Sequence, residues 1–155
     1  MAEIKITTRI LLEKDIEDST LQQINVLLMV VSPKSTPIES NFHLKEVVNE
    51  NHLFVACDSG ANDLIIGMAT LVDENILSRR CGVVHDVVVL PSYLKMGVGR
   101  TLMNALIDYA KYMGLESLEL TSHESRDVAN LLYQKLGFVK RETSVYRLNL
   151  TDFVE

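Results

Sequence analysis

The chain has 155 residues, which suits one domain with one core over its whole length, 1–155, and its 47% hydrophobic and 23% charged residues are a globular balance. A net charge of −6 counts against nucleic acid as the main partner, because phosphate binding needs a surplus of Lys and Arg. No apolar run approaches the roughly 20 residues that cross a bilayer, so no membrane partner is expected.

Residues 1–5 alternate charged and apolar side chains and lack the apolar run of a signal peptide, so a cytoplasmic location is expected. Residues 4–10 alternate and predict a first strand. Asp18-Ser19 offers an N-cap for a helix running to about residue 31, with Leu21, Ile24, Leu28 and Val31 at helical spacing and Ser32-Pro33 as the stop. Residues 34–37 are a loop, and 38–49 predict a second helix. Residues 53–57 and 64–72, joined by the turn Ser59-Gly60-Ala61-Asn62-Asp63, read as a hairpin.

A polar connection over 73–80 leads to 82–90, the stretch richest in β-branched residues and the expected central strand. Pro91 ends it. A helix follows over about 98–113, with Leu102, Leu106, Tyr109 and Met113 as its apolar stripe and Gly114 as its C-cap. Residues 117–121 predict a strand, 126–136 a helix closed by Gly137, and 138–141 and 145–150 two final strands. Residues 151–155 are expected to fray. The order β-α-α-β-β-β-α-β-α-β-β predicts an α/β fold, a mixed sheet of about six or seven strands with about four helices on its faces. Cys57 and Cys81 sit in strand-like apolar contexts and read as buried free thiols. His43, His52, His85 and His123 are scattered, so no spacing suggests a metal site.

The densest signal is the loop Leu94-Lys95-Met96-Gly97-Val98-Gly99, between the β-branched strand and the helix that opens with Arg100-Thr101. A helix N-terminus carries unpaired backbone N–H groups and a partial positive charge. Glycines before it let the backbone approach an anion closely, and Lys95 and Arg100 add formal charge. Either the glycines only shape the turn or the loop cradles a phosphate. A Walker A loop is excluded, because Gly99 is followed by Arg100-Thr101 rather than Lys-Ser/Thr. A dinucleotide fingerprint is excluded too, because Leu102 stands where its third glycine belongs.

Two segments carry a resemblance. Val89-Leu90-Pro91-Ser92-Tyr93 followed by Leu94 to Gly99 resembles the Val-x-Pro-x-Tyr strand end and the Arg/Gln-x-x-Gly-x-Gly/Ala loop of the GNAT superfamily of N-acetyltransferases, departing at Leu94 where the family usually has Arg or Gln. Ala129-Asn130-Leu131-Leu132-Tyr133-Gln134-Lys135-Leu136-Gly137-Phe138 resembles that family's Ala-x-x-Leu-Tyr-x-x-x-Gly-Phe segment. The resemblance is strong from Val83 to Arg147 and faint before it. Leu120-Thr121-Ser122, Arg126 and the run from Arg141 to Arg147 are similar to a bacterial subgroup whose substrates are mostly unassigned.

The resemblance implies acetyl-CoA as co-substrate, no metal, and an amine acceptor attacked without a covalent enzyme intermediate. Its pyrophosphate would sit on the backbone of Lys95, Met96, Gly97, Val98, Gly99, Arg100 and Thr101. Its pantetheine arm would pair with Val87, Val88 and Val89, with the Val88 N–H as oxyanion donor. Tyr133 aligns with the tyrosine that protonates the departing thiolate; the plainer reading is an aromatic packing the helix on the sheet. Asn130, one turn earlier, either bonds the pantetheine amide or faces solvent.

For the base, His85 and Asp86 point to opposite faces of the strand if no bulge intervenes, and a carboxylate buried among Val83, Val84 and Val87 would be costly, so one of the two should face the cleft. Imidazole as a class is a base that works near neutrality, which makes His85 one candidate; Asp86 serves as base or as anchor for the substrate ammonium; water is a third route. Glu119 on the neighbouring strand is either acidic machinery or a solvated side chain, and Tyr146 either lines the cleft or packs. The acceptor is a small-molecule amine, a protein lysine or a protein N-terminus; Thr121 stands where the ribosomal-protein branch usually has a glutamate, which counts against that activity. A non-catalytic acyl-CoA-binding module is the remaining alternative. Many relatives form dimers through their late strands, so a homodimer is a possible partner.

Overall fold

The computed structural model describes residues 4–153. Five strands form one sheet in the order β1 (Ile6–Ile10), β2 (His52–Asp58), β3 (Leu64–Ile76), β4 (Arg79–Val89) and β5 (Ser117–Leu120). The first four pair antiparallel, and β5 adds to β4 in parallel. A parallel neighbour needs a crossover, and the helix α3 (Val98–Tyr112) supplies it. The helices α1 (Asp18–Val31) and α2 (Asn41–Glu50) cover one face; α3 and α4 (Asp127–Lys135) cover the other.

The period-2 alternation of β2 builds both cores at once. Phe54 and Ala56 face α3, where Leu102, Met103, Leu106 and Ala110 of α3 meet Ile66, Leu71 and Val84. Leu53, Val55 and Cys57 face α1 and α2, where Ile24, Leu27 and Leu44 close over Ile65, Met68 and Val88. The central strand β3 is therefore buried without a break from Ile65 to Leu71, as expected of a strand covered on both sides. The N-cap of α1 is Glu17, which makes no side-chain cap bond; Asp18 is the first helical residue and complements the helix dipole instead. Ser40 caps α2 by accepting from the His43 N–H at 3.3 Å, so that helix starts later than its apolar pattern indicates.

Beside the N-cap expected at Asp18-Ser19, two larger expectations fail. Residues 73–80 are not a connection: β3 runs to Ile76 and β4 starts at Arg79, leaving Leu77 and Ser78 as the turn. Polar side chains are carried there by ionic contacts, Arg80 reaching Asp73 at 2.8 Å and the Met113 carbonyl at 2.8 Å. The final strands 138–141 and 145–150 do not form, so the described sheet has five strands rather than six or seven. Val139, Val145, Tyr146 and Leu148 stay exposed, and strand propensity without a paired edge or a buried face makes no strand. The segment is tied down at its start, where the Phe138 N–H bonds the Tyr133 carbonyl at 3.0 Å, and then by the side-chain pairs Lys140 to Glu124 at 3.4 Å and Arg141 to Glu119 at 2.9 Å. Of the residues expected to fray, 151–153 belong to a 3-10 turn, Leu150–Phe153, and 154–155 lie outside the described residues.

Candidate active site

The loop after β4 is built to leave amides open. Leu90 N–H bonds the Ile66 carbonyl at 2.8 Å and closes the strand. Pro91–Tyr93 make one 3-10 turn. Lys95 and Gly97 then take left-handed backbone conformations, φ 64° and 84°. The first bond of α3 runs from Thr101 N–H to the Gly97 carbonyl at 2.9 Å. Among the described residues, the N–H groups of Lys95, Met96, Gly97, Val98, Gly99 and Arg100 therefore have no acceptor. Among the described residues, Lys95 and Arg100 make no ion pair.

A Cβ built on Gly97 would meet nothing within 4 Å, so the space before these amides is open. Gly99 has a different reason: its added Cβ would lie 3.3 Å from Leu132 and 3.7 Å from Val89, so it lets α3 start close against β4 and α4. The Thr101 hydroxyl donates to the Gly97 carbonyl at 3.1 Å and is spent on the helix start. Tyr93, half-buried, donates its hydroxyl to Asp58 at 3.2 Å, and Asp58 accepts the Gly60 N–H at 3.0 Å on its other oxygen. Burial and this bond both push the Tyr93 hydroxyl above its ordinary pKa.

Beside the loop, β4 and β5 part. Their pairing covers Cys81 to Val84 against Ser117 to Leu120 and stops there. Across the other edge, Met68 pairs with Val88 and Thr70 with His85, so Ala69 alone faces Asp86 and Val87. This is a β-bulge, and Asp86 takes φ 51° within it. The simple alternation of His85 and Asp86 is thereby broken, and both side chains are exposed. The costly buried carboxylate is avoided, as expected, but through a bulge that leaves both residues exposed rather than through alternation that exposes only one. Val87 and Val89 pack towards α3, Val88 towards α1.

Tyr133 is buried in the α3-side core, edge-on to Phe138 with ring centroids 5.9 Å apart. Burial pushes its hydroxyl above the ordinary 10.0, partly offset by Arg126. Asn130 does not simply face solvent: its amide donates to the carbonyls of His123 at 3.0 Å and Glu124 at 3.4 Å, holding the β5–α4 loop. Glu119 lies opposite Val83 on β5 and accepts from Arg79 at 3.1 Å and Arg141 at 2.9 Å on one oxygen. Tyr146 is 92% exposed. Both cysteines are free and buried, and burial pushes the Cys57 thiol up, away from reactivity.

Lys95 to Thr101, Val87 to Val89 and α4 thus converge at one end of the sheet. A polar cleft of about 370 Å³, lined in part by Arg9, Lys14, Asp15, Gln23 and Asp63, lies instead at the β1 edge and holds none of the candidates. Among the described residues, no helix is long and apolar enough to cross a membrane. Asp58 was not legible as a site residue: a carboxylate ending the apolar run Leu53 to Cys57 was the only signal.

Known proteins match this arrangement. The model of the acetyltransferase (GNAT) family matches residues 20–138. An uncharacterized N-acetyltransferase of Methanocaldococcus jannaschii is 32% identical over 104 residues, 67% of this chain and 41% of that protein. A [ribosomal protein bS18]-alanine N-acetyltransferase of Haemophilus influenzae is 36% identical over 80 residues, 50% of this chain and 49% of that protein. The matches span less than half the length of either relative. The crystal structure of a Trypanosoma brucei acetyltransferase superposes with a TM-score of 0.75 at 27% identity, covering 94% of this chain and all of that one. A strand that parts from its neighbour, a loop of open amides at a helix start and a matching family model over most of the chain lead to one conclusion: the chain belongs to the acetyltransferase (GNAT) family.

Proposed function

We propose that the protein moves the acetyl group of acetyl-CoA to a primary amine of a small molecule by direct attack of the amine. The observation that carries this reading is the run of open amides from Lys95 to Arg100, set beside the gap where β4 leaves β5. The residues present fit a pyrophosphate: the amides lack acceptors, the helix dipole favours an anion, and Gly97 leaves the approach clear. Lys95 and Arg100 supply charge, and the exposed backbone edge of Val87 to Val89 would pair with the pantetheine arm. Bound acetyl-CoA supplies the activated thioester.

The chain's own groups then have separate tasks. Val88 pairs with Met68 in phase with the Leu90–Ile66 bond, which turns the Val88 N–H expected as the oxyanion donor towards β3; the Val87 N–H, on the edge that β5 leaves free, would bond the thioester oxygen as negative charge grows on it. Tyr133, held in its phenol form by burial, would give its proton to the leaving sulfur. His85 or Asp86, both exposed beside the bulge, would take a proton from the acceptor ammonium, directly or through water. Asn130 has spent its amide on the β5–α4 loop, which leaves its side-chain oxygen for a pantetheine N–H.

The test is CoA release over a panel of amines, polyamines, amino acids and peptides, alongside calorimetry with acetyl-CoA. Release with a small amine supports the reading. Failure to bind acetyl-CoA at millimolar concentration removes it. A second reading, acetylation of a protein N-terminus, is favoured by the 36% identity to the Haemophilus influenzae enzyme. It predicts turnover on peptides and none on small amines.

A further inference from the structure

We infer that Asp58 is a positioning residue for the phosphate loop, acting through the hydroxyl of Tyr93. This rests on the reading of that loop as the CoA site. Among the described residues, no side-chain bond or buried side chain between Tyr93 and the buried Val98 holds the loop to the sheet. Leu94 and Met96 are 52% and 50% exposed, Lys95 has no ionic partner among the described residues, and Gly97 has no side chain. Leu94 has no polar atom with which to tether itself. The last side-chain bond before the open amides is Tyr93 Oη to Asp58 Oδ2, 3.2 Å long and 35 residues apart in sequence.

The acceptor end of that bond is fixed. Asp58 is 7% exposed, sits in register between Ile6 and Leu64, and its other oxygen holds the Gly60 N–H at 3.0 Å. A buried carboxylate with two donors is a rigid point on the sheet, and Tyr93 carries that rigidity into the loop. The open amides must converge on one anion, and hydrogen bonds weaken steeply with misalignment. Freeing Tyr93 would let the cradle spread without touching any group that meets the ligand.

The experiment compares Tyr93→Phe, Asp58→Asn and the double variant with the parent, using CoA itself in calorimetry, steady-state kinetics and thermal unfolding. Each single variant should weaken CoA binding about tenfold, the effect of losing one hydrogen bond to a charged group. The double variant should be no weaker than the singles, because both act on the one Tyr93–Asp58 bond, which Tyr93→Phe deletes and Asp58→Asn strips of its charge. The KM for acetyl-CoA should rise while the acceptor KM and kcat at saturation hold. A purely structural Asp58, serving only the Gly60 turn, would lower the melting temperature in Asp58→Asn and leave the CoA Kd unmoved. That result, or parent-like binding in Tyr93→Phe, overturns the inference. A parent protein that does not bind CoA overturns the loop reading itself, a different failure.

Discussion

Gly97 and Gly99 occupy the same motif for different physical reasons, and alanine separates them. Gly97 has φ 84°, where an L side chain costs about 1–2 kcal/mol. Its new Cβ would meet no protein atom within 4 Å, so packing neither adds to nor relieves that cost. Alanine also restricts the unfolded chain, which returns about 0.4–1 kcal/mol. Gly97→Ala should therefore destabilise by about 1 kcal/mol, or about 2–4 °C in Tm for a chain of this size.

Gly99 is already in the helix. Alanine there gains up to about 1 kcal/mol of helix propensity and must push the tip of Leu132, 3.3 Å away, by a few tenths of an ångström. Those effects roughly cancel. Denaturant unfolding of both variants at matched m-values is the assay. The open space at Gly97 is also where the anion would lie, so CoA binding should fall further in Gly97→Ala than its stability does. A Gly97→Ala protein as stable as the parent, or a Gly99→Ala protein less stable than Gly97→Ala, would refute the reasoning.

Tyr133→Phe should lower kcat on the order of 10²-fold at neutral pH, with little change in the acetyl-CoA KM; an unchanged rate when chemistry is limiting removes the acid assignment. The same residue predicts a pH effect on stability. Its folded pKa is raised, so above about pH 10 the unfolded chain loses its proton first, and stability falls as pH rises. Below pH 10 Tyr133 contributes no pH dependence, and Tyr133→Phe should flatten the alkaline fall in unfolding free energy. It should not abolish it, because Tyr93 and Cys57 shift in the same direction. Gly82→Ala should destabilise by about 1–3 kcal/mol in denaturant unfolding, because the added Cβ would sit 2.6 Å from Leu71 and 2.7 Å from Leu118 at the β4–β5 seam.

Much of this was readable from local pattern. The period of Ile24 and Leu28 placed α1, and Gly114 and Gly137, both at positive φ, marked helix ends as their chemistry predicts. The phosphate loop was legible because its glycines, its strand and its helix are contiguous. The bulge at Asp86 was not, because a bulge is a relation between two strands: Ala69 faces two residues, and nothing near Asp86 in sequence says so. The same holds for the Asp58–Tyr93 bond. Asp73 and Arg80 hid a hairpin, since their polarity reads as a loop until each is seen to neutralise the other. Val139, Val145 and Leu148 misled in the opposite direction, offering strand propensity where no edge pairs with them.

The bulge leaves Asp86 as a non-glycine residue in the left-handed region at mid-strand. Glycine at 86 would relieve about 1 kcal/mol of backbone cost and remove the carboxylate in the same step. If Asp86 is the base, selection for thermal resistance and selection for turnover should therefore diverge at this one codon. A library randomised at position 86 and sorted for stability should drift to glycine or asparagine; the same library sorted for acetyl transfer should return aspartate if Asp86 is the base and should tolerate glycine if His85 is.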